Sequence, residues 1–455
     1  MSINLYNTLS RSKESFVPPL SGPIRLFVCG PTVYGHIHVG NARTAIFFDL
    51  FAKFLRKEGH EVDYLQNITD VDDKIITKAK EEKRAPEEVA IEYEKAYHSV
   101  MSALGVNAVS HYERATAAIP EIISQITRLI EREHAYSIKG DVYFSVSSFP
   151  EYGKLSHQDV SKLQSGETMT TGKRDPHDFT LWKAHKEGEP FWDSPWGKGR
   201  PGWHIEDTAL AEKFLGPQYD IHGGGLDIIF PHHEAEVAQA EAVSGKAPYV
   251  RYWMHTGLLA MDGEKMSKSL GNIITVHDLL QKYSAATIRM AFLSAHYRSP
   301  LDYSDALFAQ AEENLTRIKE CIARLQKYSS GDKNEAHLTP SARTEWLDAL
   351  RDDMNTPVAF ATLFNLVREV NKKIDEKAPF DSRDVLGFFE EVEVLFSIGL
   401  FEHDAIPAVL LALAQKRETA RQSKNWAESD ILRAEIEKLG YSIKDTEAGP
   451  VVRKS

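Results

Sequence analysis

Residues 24–67 carry the pattern of a strand, a tight turn, a helix and a second strand. The apolar run IRLFVC at 24–29 ends at Gly30-Pro31, which predicts a buried strand that stops abruptly. An amphipathic helix is predicted over 43–56 and the next strand over 61–67. A strand–helix–strand unit with short connections places its two strands side by side in a parallel sheet. We therefore predict an α/β fold.

The patterns that follow this unit are less uniform. Helices are predicted over 73–105 and 119–135. Residues 137–200 are rich in Gly, Pro and Trp and contain short strand-like runs, which indicates an insertion between two halves of the sheet. Strands of the second half are predicted at 219–221 and 249–255.

The C-terminal part of the chain is predicted to be mainly helical. Residues 305–395 have a helical pattern with few breakers, which favours a helical bundle. One or two further helices are predicted over 405–439. The tail at 440–454 reads as a strand, a turn and a strand, which predicts a β-hairpin.

Composition excludes several classes of protein. The net charge of −12 argues against a general nucleic-acid coat protein, although the C-terminal 45 residues are locally basic. No segment reaches the roughly 18 uninterrupted apolar residues that a membrane helix needs, and the N-terminus lacks the apolar core of a signal peptide. Two cysteines among 455 residues cannot form a disulfide framework. We therefore expect a protein of the reducing cytoplasm, with no membrane association.

Two stretches have the residue types that bind phosphate. In FVCGPTVYGHIHVGNAR at 27–43, a glycine-rich turn leads into a helix start, where backbone N–H groups and the helix dipole favour an anion. In MDGEKMSKSLGN at 261–272, Lys265 and Lys268 suit the charge that builds on a pyrophosphate leaving group. Taken singly, each stretch is equally consistent with an ordinary solvated loop.

Together, the two stretches resemble the signature pair of the class I aminoacyl-tRNA synthetases. His38-Val39-Gly40-Asn41 is similar to their HIGH element, with Val39 in place of Ile and Asn41 in place of the second His, and residues 265–269 read KMSKS. Asn41 can still donate a hydrogen bond. His36 lies outside the HIGH register and is expected to be a loop histidine.

Within that class, the chain is most similar to the cysteinyl-tRNA synthetases, nearly from end to end. The segments that carry this resemblance are CGPTVY (29–34), NITDVDDKI (67–75), DFTLWK (178–183), SPWGKGRPGWHIE (194–206), DIHGGGLDIIFPHHE (220–234), RDDMNTP (351–357) and KNWAESDILR (424–433).

The resemblance implies both an architecture and a reaction. It implies a Rossmann-like parallel-sheet catalytic domain at 1–304, with an insertion at about 110–205 and the KMSKS loop at 265–269. A helical bundle at 305–395 and a small mixed anticodon-binding domain at 396–455 would follow. The implied reaction uses Mg²⁺-ATP to activate L-cysteine as cysteinyl-adenylate and then transfers it to tRNA(Cys), and we expect a monomer.

The resemblance also implies a zinc site. The family uses two Cys, one His and one Glu to hold a zinc ion that binds the substrate thiol. Cys29, His232 and Glu236 match three of these ligands, but Asp207 stands where the second Cys is expected. Three outcomes stay open at this point: zinc held with the help of Asp207, thiol selection without a metal, or an amino acid other than cysteine. Cys321 is expected to be a packing residue.

The remaining site residues follow by position in the matched segments. The residues expected to bind ATP are His38, Gly40, Asn41, Gly224, Asp227, Lys265 and Lys268. Of these, His38, Asn41, Lys265 and Lys268 are expected to be catalytic. The residues expected to line the amino-acid pocket are Cys29, Thr69, Trp203 and His222. Trp426 and Arg433 are candidates for tRNA contact, by stacking and phosphate binding. Trp426 packing under the terminal hairpin is the alternative.

Two rival functions fit parts of the chain. A cysteine ligase of mycothiol synthesis, which joins cysteine to an amino sugar, resembles the catalytic half but has a shortened C-terminus, whereas residues 396–455 here continue the synthetase pattern. A catalytically silent tRNA-binding relative would explain Asn41 and Asp207, but the intact KMSKS run argues against it.

Overall fold

The structure is a computed structural model that describes residues 2–159, 172–261, 264–265, 274–328, 336–401, 408–422, 425–439, 441–446 and 449–454. These residues form two compact units, 1–398 and 399–455.

The strands have the following bounds: β1 Asn4–Asn7, β2 Ser12–Ser15, β3 Ile24–Val28, β4 Val62–Ile68, β5 His111–Arg114, β6 Ala135–Ile138, β7 Asp141–Phe144, β8 Phe179–Ala184, β9 Gly199–Pro201, β10 Tyr219–Gly225, β11 Val250–Thr256, β12 Leu259–Met261, β13 Glu264–Lys265, β14 Leu301–Tyr303, β15 Tyr441–Thr446 and β16 Gly449–Lys454. The helices are α1 Val39–Lys57, α2 Asp73–Glu82, α3 Pro86–Ala103, α4 Ile119–Glu131, α5 Trp203–Leu215, α6 Glu234–Ser244, α7 Val276–Lys282, α8 Ala285–Leu293, α9 Asp305–Lys327, α10 Thr339–Arg351, α11 Thr356–Asp375, α12 Ser382–Phe396, α13 Ala408–Gln422 and α14 Trp426–Lys438.

A five-stranded parallel sheet forms the centre of the first unit, which confirms the predicted α/β fold. Its strand order is β11-β10-β3-β4-β5, and every neighbouring pair is parallel. Its central strands β3 and β10 are almost wholly buried, as expected of a sheet that is covered on both faces. The chain leaves β3 toward β4 on one side and later returns to β10 on the other. Such a reversal of strand order opens a crevice at the carboxyl ends of the strands.

The segment expected to be an insertion lies between β5 and β10. Strands β6 to β9 form an antiparallel sheet of their own within it. Residues 111–114 at its start are β5, which pairs with β4 and completes the parallel sheet. The apolar side chains of this segment share one buried core with α5, α6 and the main sheet.

Helices dominate the rest of the described chain. Helices α9 to α12 lie in the region where a bundle was predicted, and Cys321 is buried within α9. In the second unit, α13, α14 and β15 enclose a small core of Leu410, Leu413, Ala414, Leu432, Ile436 and Ile443. Strands β15 and β16 pair antiparallel, which confirms the predicted terminal hairpin.

Candidate functional site

A cavity of about 460 Å³ opens beside the carboxyl ends of β3 and β10. One end is lined by His38, Gly40 and Asn41, and the other by Cys29 and His232. These groups come from both sides of the strand-order reversal. A single cavity therefore joins the predicted phosphate-binding helix start to the predicted metal ligands.

The start of α1 is shaped by its own sequence. His38 precedes the helix with extended backbone angles, and its Nδ1 accepts a hydrogen bond from the Gly40 N–H at 3.1 Å. This contact makes His38 the N-cap and aims the 19-residue helix α1 at the cavity. The N-terminus of a helix is a favourable place for phosphate. Of the two signature lysines, Lys265 has its backbone in β13, and Lys268 lies outside the described residues.

The four predicted metal ligands lie together. The Cys29 thiol donates to Asp207 Oδ2 at 3.3 Å and lies 4.0 Å from Glu236 Oε1. His232 Nε2 is 3.1 Å from Asp207 Oδ2 and 3.1 Å from Glu236 Oε1. His232 and Glu236 are four residues apart across the start of α6 and therefore face the same way.

Two more histidines reach the same sulfur. Cys29 Sγ is 3.1 Å from His233 Nε2 and 3.4 Å from His222 Nε2. The ligating atoms of Cys29, His232, His233 and Glu236 all lie within 4.8 Å of one another, so these four residues could hold a metal ion. His233 is not among the predicted ligands, although its position next to His232 was a usable signal.

The donor chemistry of this cluster fits a cation. Burial, followed by the charges of Asp207 and Glu236, raises the pKa of the Cys29 thiol. Burial and the charge of Asp207 also raise the pKa of Glu236, and Glu236 Oε2 has no hydrogen-bond partner among the described residues. Burial and neighbouring histidines lower the pKa of His233 and leave it a neutral ligand. A soft sulfur, neutral imidazoles and carboxylates are the ligands that zinc takes in proteins.

Neighbouring side chains hold these ligands in place. Asn67 donates to Asp207 Oδ1 at 2.7 Å and accepts from the Gly30 N–H at 2.6 Å. His204 Nδ1 contacts His232 Nδ1 at 2.8 Å. Trp203 stacks on the His232 ring with 4.2 Å between centroids. Such second contacts set the tautomer and orientation of a ligating imidazole.

His233 is oriented in the same manner. Its Nδ1 lies 2.8 Å from His255 Nε2, and His255 Nδ1 lies 2.7 Å from Thr8 Oγ1. This chain of contacts presents His233 Nε2 to Cys29. His255 and Thr8 were not predicted, since they lie about 22 and 225 residues from His233 along the chain.

The structure separates the predicted amino-acid pocket into open and buried positions. Trp203 and Cys29 line the cavity. Thr69 is buried behind it, where its Oγ1 accepts from Asn67 at 3.3 Å. His222 is fully buried beneath Cys29, and its Nδ1 lies 2.6 Å from the Tyr219 hydroxyl.

The other predicted positions are distributed as follows. Asp227 lines the cavity. Gly224 is a strand residue at which a side chain would collide with the His233 ring, because an added Cβ would lie 2.7 Å from His233 Cε1. In the second unit, Trp426 is 57% exposed at the start of α14, and Arg433 pairs with Glu437 at 3.1 Å. None of the helices in the described part of the chain has the length and apolar character needed to span a bilayer.

Three protein families match successive parts of the chain. The class I (C) tRNA synthetase catalytic domain matches residues 16–313. The DALR domain matches residues 345–392, and the cysteinyl-tRNA ligase anticodon-binding domain matches residues 403–453.

Full-length relatives give the same result. A cysteine–tRNA ligase of Caldicellulosiruptor saccharolyticus is 43% identical over 468 residues, which cover 99% of this chain and 100% of that protein. One of Legionella pneumophila is 43% identical over 459 residues, which cover 99% of each chain.

Solved structures resemble the fold. The methionyl-tRNA synthetase of Mycobacterium tuberculosis in complex with methionyl-adenylate has a TM-score of 0.60 at 15% identity, over 84% of this chain and 88% of that chain. The chain therefore belongs to the cysteine–tRNA ligase family and carries a class I tRNA synthetase catalytic domain.

Proposed function

We propose that this chain activates cysteine with ATP and transfers the cysteinyl group to tRNA(Cys). The observation that carries the proposal is the single cavity that joins the Cys29–His232 cluster to the start of α1. An amino acid at the cluster and the phosphates at the helix start would lie in one continuous space, as a two-substrate condensation needs.

The first step forms cysteinyl-adenylate. A carboxylate oxygen of cysteine attacks the α-phosphorus of ATP, and the bond from that phosphorus to the bridging oxygen breaks, so that pyrophosphate leaves with the electron pair. We assign His38, Gly40 and Asn41 to the ATP phosphates, where the backbone of α1 also favours an anion. Lys265 and Lys268 are assigned to the leaving pyrophosphate and Mg²⁺ to the ATP, on the basis of the family resemblance.

The second step transfers the amino acid. A hydroxyl of the terminal ribose of the tRNA attacks the carbonyl carbon of the adenylate, and AMP leaves. We assign residues 1–304 to both steps, the helices of 305–395 to a bundle that supports tRNA, and 396–455 to the anticodon. Trp426 suits stacking on an unpaired base, because its ring is exposed. The proposed enzyme is a cytoplasmic monomer.

Substrate selection rests on the thiol cluster. We propose that Cys29, His232, His233 and Glu236 hold zinc, and that Asp207, which already accepts from Asn67, stays beside it. When bound, zinc favours a substrate thiolate over the hydroxyl of serine, since sulfur is the softer ligand. Pocket shape alone separates such close analogues by only about 1–3 kcal/mol. Trp203, stacked on His232, closes the cavity on the side of the amino acid.

Pyrophosphate exchange tests this proposal. Purified protein is incubated with ATP, labelled pyrophosphate and either cysteine or serine, and then with transcribed tRNA(Cys). Exchange with cysteine and charging of the tRNA are expected. If an amino sugar, offered in place of tRNA, accepts the cysteinyl group, the protein is a different ligase. If no amino acid supports exchange, the protein is a catalytically silent relative.

Two alanine variants, one at the signature lysine Lys268 and one at the control lysine Lys372, test the catalytic assignment. Lys268→Ala should reduce exchange at least about tenfold, the effect of losing one transition-state charge contact. Lys372→Ala removes an equally basic side chain that is 73% exposed on α11 and should leave exchange unchanged. Exchange by Lys268→Ala within twofold of wild type would remove that lysine from the mechanism.

A further inference from the structure

One buried cation next to the cavity has no role in the steps above. Arg43, in the second turn of α1, is 2% exposed. Its guanidinium donates to the Gly257 and Leu258 carbonyls at 2.9 and 3.2 Å, and to the Ser299 and His296 carbonyls at 2.7 and 3.2 Å. Burial lowers the pKa of Arg43 to about 10, since these described acceptors are neutral carbonyls.

Two of these acceptors belong to the wall of the cavity. Residues 256–259 line the cavity on the side facing the start of α1. Thr44, next to Arg43 in sequence, brings its hydroxyl within 2.7 Å of the Thr256 hydroxyl. Two successive residues of α1 thus hold the same wall.

This wall is tightly packed from behind. The Gly257 N–H donates to the Tyr297 carbonyl at 2.7 Å, and the Leu301 N–H donates to the Leu258 carbonyl at 3.0 Å. A Cβ added at Gly257 would lie 2.4 Å from the Ser299 carbonyl oxygen. The backbone of 257–258 therefore has little freedom as long as Arg43 bridges it to 296–299.

The chemistry of the wall indicates which part of ATP it meets. Polar groups at the helix start are assigned to the phosphates, and the thiol cluster to the amino acid. The wall at 257–259 offers Leu258, Leu259 and a fixed backbone, which suit a flat and weakly polar base. We propose that Arg43 is a positioning residue that fixes the Gly257–Leu258 backbone as the surface for the nucleoside of ATP. This inference rests on the proposed function.

Arginine is specifically required in this role. Its planar guanidinium carries five donors in a rigid fork, whereas the ammonium of lysine is a compact point charge. Lysine at position 43 would keep the charge but could not bridge carbonyls of 257–258 and 296–299 in the same arrangement. A conservative substitution therefore isolates the geometric role of Arg43.

Steady-state pyrophosphate exchange with Arg43→Lys tests the inference. The KM for ATP should rise about tenfold, equivalent to one or two lost hydrogen bonds at about 1 kcal/mol each, while kcat and the KM for cysteine stay within about threefold of wild type. Arg289→Lys is the matched control, because Arg289 is also fully buried but binds Asp49 away from the cavity. It should destabilise the fold and leave the KM for ATP unchanged.

Other results would overturn the inference. An unchanged KM for ATP in Arg43→Lys, or equal rises for ATP and cysteine, would reduce Arg43 to a general structural residue. If Arg43→Lys does not fold, Gly257→Ala displaces the same backbone and must raise the KM for ATP selectively. If the wild type shows no exchange, the proposed function fails instead. The inference about Arg43 is then tested by calorimetry: the dissociation constant for ATP should be larger for Arg43→Lys than for the wild type, and equal constants would overturn it.

Discussion

A buried carboxylate on α1 provides a sharp test of how the fold supports the site. Asp49 is fully buried, and its Oδ1 accepts from the Asn107 and Ala108 N–H groups at 2.9 and 3.0 Å. Its Oδ2 accepts from Arg289 Nη2 and from Lys53 Nζ, each at 2.8 Å. One side chain thus joins α1 to α8 and to the segment that leads into β5.

Asp49→Asn keeps the shape and removes the charge. The amide nitrogen that replaces Oδ2 would face two cations, so that Arg289 loses its buried counter-charge. Breaking a buried pair from one side costs about 3–5 kcal/mol. We expect the free energy of unfolding of the first unit to fall by that amount. Arg289 also donates to the Phe396 carbonyl at 2.7 Å, so the end of α12 should loosen in the same variant.

Urea denaturation followed by tryptophan fluorescence measures this change. Six of the seven tryptophans lie in the first unit, and a Trp426→Phe background removes the seventh. In a double-mutant cycle, Asp49→Asn with Arg289→Met should cost at least about 1 kcal/mol less than the sum of the single variants. A loss below about 1 kcal/mol for Asp49→Asn, or strict additivity, would refute the assignment of a coupled buried pair.

Three further predictions concern the cavity. His233→Gln should bind zinc at least about tenfold more weakly than Asp207→Asn, as measured by metal analysis after dialysis against a chelator; the reverse order would make Asp207 the fourth ligand. Trp203→Ala should raise the KM for cysteine more than the KM for ATP, since its ring stacks on His232; equal changes would contradict this placement. Gly223→Ala should cost about 1–3 kcal/mol in urea denaturation, because its Cβ would lie 2.2 Å from Phe48 Cζ; wild-type stability would show that α1 can shift.

The regular elements were predictable because apolar periodicity determines them. The pattern located β3, β4 and the body of α1, but it placed the helix start near Arg43 rather than at Val39. The first turn of α1 contains Gly40 and Asn41, which are poor helix formers. Its start depends instead on the hydrogen bond from the Gly40 N–H to His38 Nδ1, which no periodicity reports.

The parts of the site that escaped prediction depend on contacts between distant residues. Arg43 follows the HIGH-like stretch in a helical pattern, where an arginine is usually a surface residue. Its burial becomes evident only when residues 257–258 and 296–299 pack against α1. Asn67 belongs to a matched segment, but its link to Asp207 joins positions 140 residues apart. Such contacts require the tertiary fold.

The position of the site follows from one short connection. Cys29 is the first residue after β3, and His38 immediately precedes α1, so both ends of the cavity are attached to the same strand–turn–helix unit. The strand neighbours of β3 supply further groups: Asn67 comes from β4, and β10 is followed by the segment that carries His232 and His233. Helix α5 adds Trp203 and Asp207. A change that tilts α1 should therefore alter ATP and cysteine binding together, whereas a change behind residues 257–258 should alter ATP binding alone. In the same exchange assay, Gly223→Ala should therefore change the KM values for ATP and cysteine together, whereas Arg43→Lys should change the KM for ATP alone. The same pattern of KM changes in both variants would show that the two ends of the cavity are not independent.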